Sequence, residues 1–327
     1  MDRIAQSRIT RRGFLVRAGA AAAGAAVGRP VSAAGAAGKK TRRVWAFADS
    51  HIGLVHDGKD GAEWMAVGLD DLRRNVRGID YALALGDITD HAGAEEEIKT
   101  YVKVRAAAGL PAWYELAGNH DFGAIPAGHW ARYVRKPRNY TLLDGNAAWL
   151  LISARQGKSE GRINRATGEW LKREAHRHRD KNVIVCTHQA VYRTVAGSGG
   201  GETYIMHRGY VRSIIAKVRI DLWLCGHIHG GRRNRRYVAR GERTTYVNVA
   251  SLNHAYGTRA ANAYVLEMPQ GARTMIARCR DHDRGAYLPD QEVRIEMPHP
   301  WKFGARPVLI PAGAAESRPA APSAAGT

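Results

Sequence analysis

The stretch Leu83-Ala84-Leu85-Gly86-Asp87-Ile88-Thr89-Asp90 closes an apolar run, 79–85, on a glycine and a carboxylate. A short continuous apolar run bounded by a turn signal reads as a strand buried on both faces, so Asp87 would stand at the end of a core strand. The same design recurs along the chain. The run 42–48 leads to Asp49 and His51, 111–117 to Asn119, His120 and Asp121, 183–186 to His188, and 220–225 to His227 and His229. A glycine directly precedes Asp87, Asn119 and His227, as a tight turn over a strand end requires.

Asp49, His51, Asp87, Asn119, His188, His227 and His229 are all oxygen or imidazole donors. Two divalent cations held about 3.5–4 Å apart need such a set, with a hard anionic bridge and open positions for water and substrate. A stray Asp-x-His or His-x-His is common in any chain. Five such segments in one order, each after a strand-like run, specify a two-metal hydrolytic centre at strand ends, where ligands bind in open α/β sheets. His120, next to Asn119, is then free to serve as an acid or an electrophile.

Helical periodicity over 62–77 and an acid-rich start over 94–109, stopped by Gly109, place helices between the first strands. A further helix is expected over 167–180 with Thr167 as its cap, and another near 207–217. His176 and His178 on that third helix read as solvent-facing. After 233 the texture turns to short β runs at 235–240, 244–251, 262–268, 272–279 and 291–297. A βαβα first half and a β-rich second half predict two packed sheets with helices outside.

The 327 residues suffice for a sizeable core, and 45% hydrophobic with 24% charged residues is a globular balance. The formal charge of +20 favours anionic partners such as phosphorylated substrates. Nucleic acid is the less favoured partner, because the basic residues are dispersed with little aromatic interleaving. Three cysteines, Cys186, Cys225 and Cys279, exclude a disulfide framework, although a Cys186–Cys225 bridge between neighbouring strands stays open for an exported chain.

Residues 1–33 carry a basic start, Phe14-Leu15-Val16, an Ala/Gly stretch and a small-residue cleavage site ending at Ala33. The Arg11-Arg12-Gly13-Phe14-Leu15 segment resembles the bacterial twin-arginine export signal, which implies the twin-arginine translocation machinery as a partner and a periplasmic or extracellular destination. Its apolar stretch is too weak for a membrane span, so no stable insertion is expected after cleavage. The expected organisation is thus a signal peptide (1–33), a lead-in (34–41), one catalytic domain (42–305) and a Pro/Ala-rich tail (306–327).

The ordered D-x-H, G-D, G-N-H-D, H and G-H-x-H segments over residues 45 to about 255 resemble the calcineurin-like metallophosphoesterases. That resemblance implies an α/β fold, a four-layer αββα sandwich of two mixed β-sheets with a dinuclear metal site at strand ends. It also implies hydrolysis of phosphoester bonds with metal-bound hydroxide as nucleophile. Carried over by position, Asp49, His51, Asp87 and His229 would hold one ion, and Asp87 would bridge to a second completed by Asn119, His188 and His227. The ions would be Mn, Fe, Zn or Co. His120 would contact the scissile phosphate or protonate the leaving group, with Asp121 orienting its ring. Asp90 stands where purple acid phosphatases have an iron-ligating tyrosine. The arginine that comes after this position in protein Ser/Thr phosphatases is absent, and GNHD is closer to the bacterial phosphodiesterase branch. Gln189-Ala190 after His188 departs from the cyclic-nucleotide branch. The readings in play are a phosphodiesterase, an exported phosphomonoesterase or nucleotidase acting on phosphorylated small molecules, and a non-catalytic binder of anionic polymers. His254 and Tyr256 are further candidates for substrate contact.

Overall fold

A computed structural model describes residues 41–154, 161–200, 204–206, 208–230, 237–253 and 261–312. The chain begins with β1 (Thr41–Phe47), a hairpin of β2 (Val55–His56) and β3 (Lys59–Asp60), α1 (Gly61–Asn75), β4 (Tyr81–Leu85), α2 (Glu95–Ala107) and β5 (Trp113–Leu116). Next come β6 (Asn139–Asp144), β7 (Ala147–Ile152), β8 (Gly161–Arg162), α3 (Arg165–Arg177), β9 (Asn182–Thr187), β10 (Ile205–Met206), α4 (Arg208–Lys217) and β11 (Leu222–Gly230). The last strands are β12 (Val238–Arg240), β13 (Thr245–Ala250), β14 (Asn262–Pro269), β15 (Thr274–Asp281), β16 (Ala286–Glu296) and β17 (Val308–Pro311).

Two mixed sheets dominate, in the orders β16-β15-β14-β1-β4-β5 and β12-β13-β11-β9-β7-β6-β17. Strands β1, β4 and β5 run parallel in the first, and β7, β9, β11 and β13 in the second. Antiparallel strands are confined to the flanks. Alternation along each strand divides the apolar side chains between two faces. Val44, Tyr81, Leu83 and Leu85 meet Trp149, Leu151, Ile184 and Leu224 between the sheets. Trp45, Phe47, Ala82 and Ala84 turn outward to Met65, Leu69 and Leu72 of α1 and Ile98 and Tyr101 of α2. Leu150, Val183, Val185 and Trp223 turn outward to Trp170 and Leu171 of α3 and Val211 and Ile214 of α4. The result is the expected four-layer αββα sandwich.

Strands β6, β7 and β17 have no counterpart among the elements expected from the sequence. β7 is central, since it joins β9 to β6, and all six of its residues are buried. β17 pairs with β6 inside the stretch expected as tail. Helix α3 begins two residues before Thr167, because Asn164 is its cap and accepts from the Thr167 amide at 2.9 Å. His178 is buried rather than solvent-facing, 3.5 Å from the Glu174 carboxylate one turn earlier, whereas His176 is exposed as expected.

All three cysteines are free and buried. Leu224 of β11 sits opposite Cys186 of β9, so Cys225 falls on the other face. Cys186 faces the inter-sheet core and Cys225 the helix layer, which rules out the bridge left open above. No helix among the described residues is long and apolar enough to cross a membrane. Residues 1–33 lie outside the described residues.

Candidate metal centre

The ligand-bearing segments all end at one edge of the two parallel regions. Beyond β1 and β4 the chain keeps a ladder, Asp49 N to Gly86 O and His51 N to Asp87 O at 3.0 Å each, which holds the two carboxylates side by side. Gly226 N donates to His188 O at 2.8 Å, tying the turn after β11 to the end of β9, and Ala154 N to Ala117 O at 2.8 Å ties the end of β7 to that of β5. Nine described non-glycine residues have positive φ, and five are Asp49 (55°), His51 (41°), Asp87 (49°), His227 (67°) and His229 (49°). Such conformations cost of order 1–3 kcal/mol each for residues with a Cβ and persist where function requires them. Gly86 (φ 90°) supplies the turn before Asp87, and a Cβ on Gly118 would stand 2.1 Å from Asp87 Oδ1.

Asp49, His51 and His229 form one group, and Asp87, His188 and His227 a second, each with one donor atom per residue within 4.8 Å of the others. In the first, His229 Nε2 is 3.4 Å from Asp49 Oδ1 and 3.2 Å from His51 Nε2. In the second, His188 Nε2 is 2.9 Å from Asp87 Oδ2 and 3.1 Å from His227 Nδ1. His51 Nε2 lies 3.8 Å from Asp87 Oδ2, and His188 Nε2 3.8 Å from Asp49 Oδ1, so the groups adjoin through both acids. His188 Nδ1 donates to Leu85 O at 2.7 Å and His51 Nδ1 to Asp90 Oδ1 at 2.9 Å. These bonds fix the tautomers that leave each Nε2 facing the cluster, as metal-ligating histidines require. Two carboxylates and four imidazoles with converging lone pairs fit divalent cations of the transition series.

The charges conflict in the way a cation site implies. Burial pushes Asp49 up to about 6 against the pull of His188. Asp87, equally buried, is driven well below the ordinary carboxylate range by His188. His188 rises to about 9 because Asp87 overcomes the cost of burial, while burial and the neighbouring His188 push His227 down to about 3.

His120 joins His51 and Asp87 in a third group. Its amide donates to Asp87 Oδ1 at 2.9 Å, its Nδ1 to Asp90 O at 2.5 Å, and its ring meets His51 edge-on at 4.8 Å. Its side chain is 40% exposed. Asn119 is buried beside it, and its Oδ1 accepts from Gln189 Nε2 at 3.0 Å.

Asp121 departs from the expected role. Its carboxylate accepts from the amides of Ile88, Thr89 and Gly118 at 3.1, 2.9 and 2.9 Å and from the Thr89 hydroxyl, so it shapes the loop after β4. Burial nevertheless raises its pKa above the usual value. The His120 ring is oriented by the Asp90 carbonyl instead. Three polar residues on and after β13 also escaped the sequence reading. Ser251 Oγ donates to Asp49 O at 3.1 Å, Asn253 Nδ2 to His51 O at 3.1 Å, and Asn248 Nδ2 to Gly226 O at 2.7 Å, bracing three ligand-bearing turns. Only Asn248 left a local trace, an amide inside an otherwise apolar strand; Ser251 and Asn253 stand beyond the strand's end. His254 and Tyr256 lie outside the described residues.

Among solved structures, GAP50, the anchor in the inner membrane complex of Plasmodium, is similar at TM-score 0.58 and 11% identity, covering 80% of this chain and 90% of that one. The purple acid phosphatase PPD1 of yellow lupin (Lupinus luteus) seeds is similar at TM-score 0.55 and 13% identity, covering 78% of this chain and 54% of that one. At such identities both likenesses concern the fold alone. No curated protein sequence matches. The family model for calcineurin-like phosphoesterases matches residues 42–231. That match spans more than half of the sequence and includes Asp49, His51, Asp87, Asn119, His188, His227 and His229, and the chain therefore belongs to the calcineurin-like phosphoesterase family.

Proposed function

We propose that this phosphoester hydrolase acts on phosphodiesters with two divalent cations, one held by Asp49, His51, Asp87 and His229 and the other by Asp87, Asn119, His188 and His227. The single observation that carries the reading is the pair of buried Asp/His groups adjoining through Asp49 and Asp87. When bound, the cations supply Lewis acidity and an activated water. The chain's own part is to aim the donors and to hold a proton. Asp90 and Leu85 O fix the ring orientations of His51 and His188. His120, held at Nδ1, keeps Nε2 as the nitrogen that can carry a proton to the leaving oxygen.

The charge pattern supports a diester over a monoester. The residue after Asp90 is His91, whose Nδ1 turns to Glu97 at 2.6 Å, so no guanidinium occupies the place from which phosphoprotein phosphatases grip a doubly charged group. Hydrolysis of bis-p-nitrophenyl phosphate and p-nitrophenyl phosphate, with and without Mn²⁺, tests this. Faster metal-dependent turnover of the diester is expected, and a monoester preference would overturn the substrate class. The export reading rests on Arg11-Arg12, the adjoining Gly13-Phe14-Leu15 and the Ala/Gly stretch beyond. Changing both arginines to Lys should leave the protein uncut in the cytoplasm, and unchanged export would point to another route.

A further inference from the structure

On the helix side of the second sheet, away from the candidate metal centre, a cavity of about 420 Å³ opens between α4, the loop after β9 and the β12–β13 turn. Four arginines, Arg193, Arg212, Arg240 and Arg243, line it together with a single acidic residue, Glu242. Arg240 donates to the Arg294 carbonyl. Among the described residues Arg193, Arg212 and Arg243 have no carboxylate partner. Some arginines of this chain find acids, as Arg73 and Arg74 find Asp70, whereas others at exposed positions, such as Arg132, Arg135 and Arg273, pair with no acid among the described residues; what sets the cavity's four apart is that they gather in one concavity. Like charges gathered in one concavity repel each other, and an anion with several oxygens relieves that cost while using the planar guanidinium fork.

The rest of the lining mixes apolar side chains with Thr194, Thr244 and two tyrosines. Ile215 and Ala216 of α4, the buried Tyr246 and Tyr192 all contribute to it. The Tyr192 ring carries the Arg208 guanidinium at 4.7 Å and that of Arg193 at 5.2 Å, so an aromatic and cationic platform stands at the rim. Arg193 itself is held at φ 54°, in the left-handed region. The volume falls in the range of small-molecule sites, about 300–1,000 Å³. None of the lining residues belongs to the metal centre, yet the loop that supplies Tyr192 and Arg193 begins at His188 and Gln189.

We propose that this cavity is a second ligand site, separate from the reaction centre, for a phosphorylated small molecule with a flat or apolar body, the chemistry of a mononucleotide. Its phosphate meets Arg212 and Arg243, and its body lies over Tyr246 and Ile215. The occupant can be a product of the enzyme's own reaction or an independent effector, since both present the same groups.

Titration calorimetry of the full chain with AMP, adenosine and inorganic phosphate, all with chelator present, tests the site without the metal centre contributing. Saturable AMP binding is expected, with adenosine and phosphate each far weaker. Arg212→Ala with Arg243→Ala, both exposed positions, should weaken AMP by roughly tenfold or more, the loss expected for charge-assisted hydrogen bonds. The same double variant should hydrolyse bis-p-nitrophenyl phosphate with unchanged kcat, and a change in wild-type turnover on adding AMP that the double variant lacks assigns that effect to this cavity rather than to the reaction centre. Equal AMP affinity in wild type and variant, or phosphate binding as tightly as AMP, would overturn the proposal while leaving the phosphodiesterase assignment untouched.

Discussion

Two buried clusters of acid and imidazole lie in this fold, and they are built in opposite ways. Beneath α1, Asp71 accepts from Arg280 Nε and Nη2 at 2.5 and 2.7 Å, from His282 Nδ1 at 2.7 Å and from Asn75 at 2.8 Å. His282 Nε2 in turn accepts from Trp45 Nε1 at 3.1 Å. Each acid and base there has a partner of opposite character, and Asp71 is held well below the ordinary carboxylate range despite burial, by Arg280 and His282. At the strand ends the carboxylates instead face several imidazole nitrogens at once, nitrogen approaches nitrogen at 3.1 and 3.2 Å, and Asp49 and Asp87 are pushed in opposite directions. The first cluster is complete as protein. The second calls for cations. Buried charge alone therefore does not mark a site; unresolved competition among its groups does.

The sharpest way to break that contrast is to remove one acid from each cluster. Asp87→Ala takes the acid of the second group, which His51 of the first also approaches at 3.8 Å, so metal binding and hydrolysis should fall below detection while the fold survives. Retained activity, read with bis-p-nitrophenyl phosphate, would demote the cluster. His120→Asn should keep the metal content and lower turnover by roughly 10²–10⁴-fold, the usual range for a general acid. The loss should be smaller for p-nitrophenolate than for an alkoxide leaving group, and loss of metal would recast His120 as a ligand. Asp90→Ala frees the His51 ring and should cost about 10–100-fold in metal affinity or activity, as loss of a partner to a ligating histidine does. Metal titration of that variant separates affinity from chemistry.

Asp71→Ala should act on stability alone. It leaves the buried Arg280 charge uncompensated, at about 3–5 kcal/mol, with kcat of the folded protein unchanged. Denaturant melts with parallel assays read both. The wild-type cluster also gives stability an acid limit. Burial holds His282 below its ordinary pKa, so as pH falls below about 6.5 the unfolded imidazole takes up a proton that the folded one resists, and stability declines. The contribution of Asp71 is present above the unfolded carboxylate pKa and is lost as pH falls through its depressed folded value. Removing Asp71 should flatten the profile below the unfolded carboxylate pKa, where its own contribution is lost.

The layer architecture and the meeting of Asp49, His51, Asp87, His188, His227 and His229 were legible in the sequence, because each came after a strand-like run and parallel neighbouring strands end on one side. The hairpin of β6 and β7 also leaves a trace: Asp144-Gly145 between apolar runs is a turn signal, although it says nothing of β7 lying at the centre of a sheet. Asp121 could not be placed that way. A carboxylate beside a histidine in sequence points where the turn sends it, here to the amides of residues 88, 89 and 118. The bracing by Asn248, Ser251 and Asn253 depends on β13 lying beside β11 and running up to β1, a long-range pairing that no local pattern records.

The central claim is that the strand-end cluster holds two cations and turns over phosphodiesters with them. Metal analysis of the purified active protein tests it most directly. Close to two divalent ions per chain, with bis-p-nitrophenyl phosphate hydrolysis lost on chelation and restored by Mn²⁺, is the predicted result; one ion or none in a fully active preparation would contradict it.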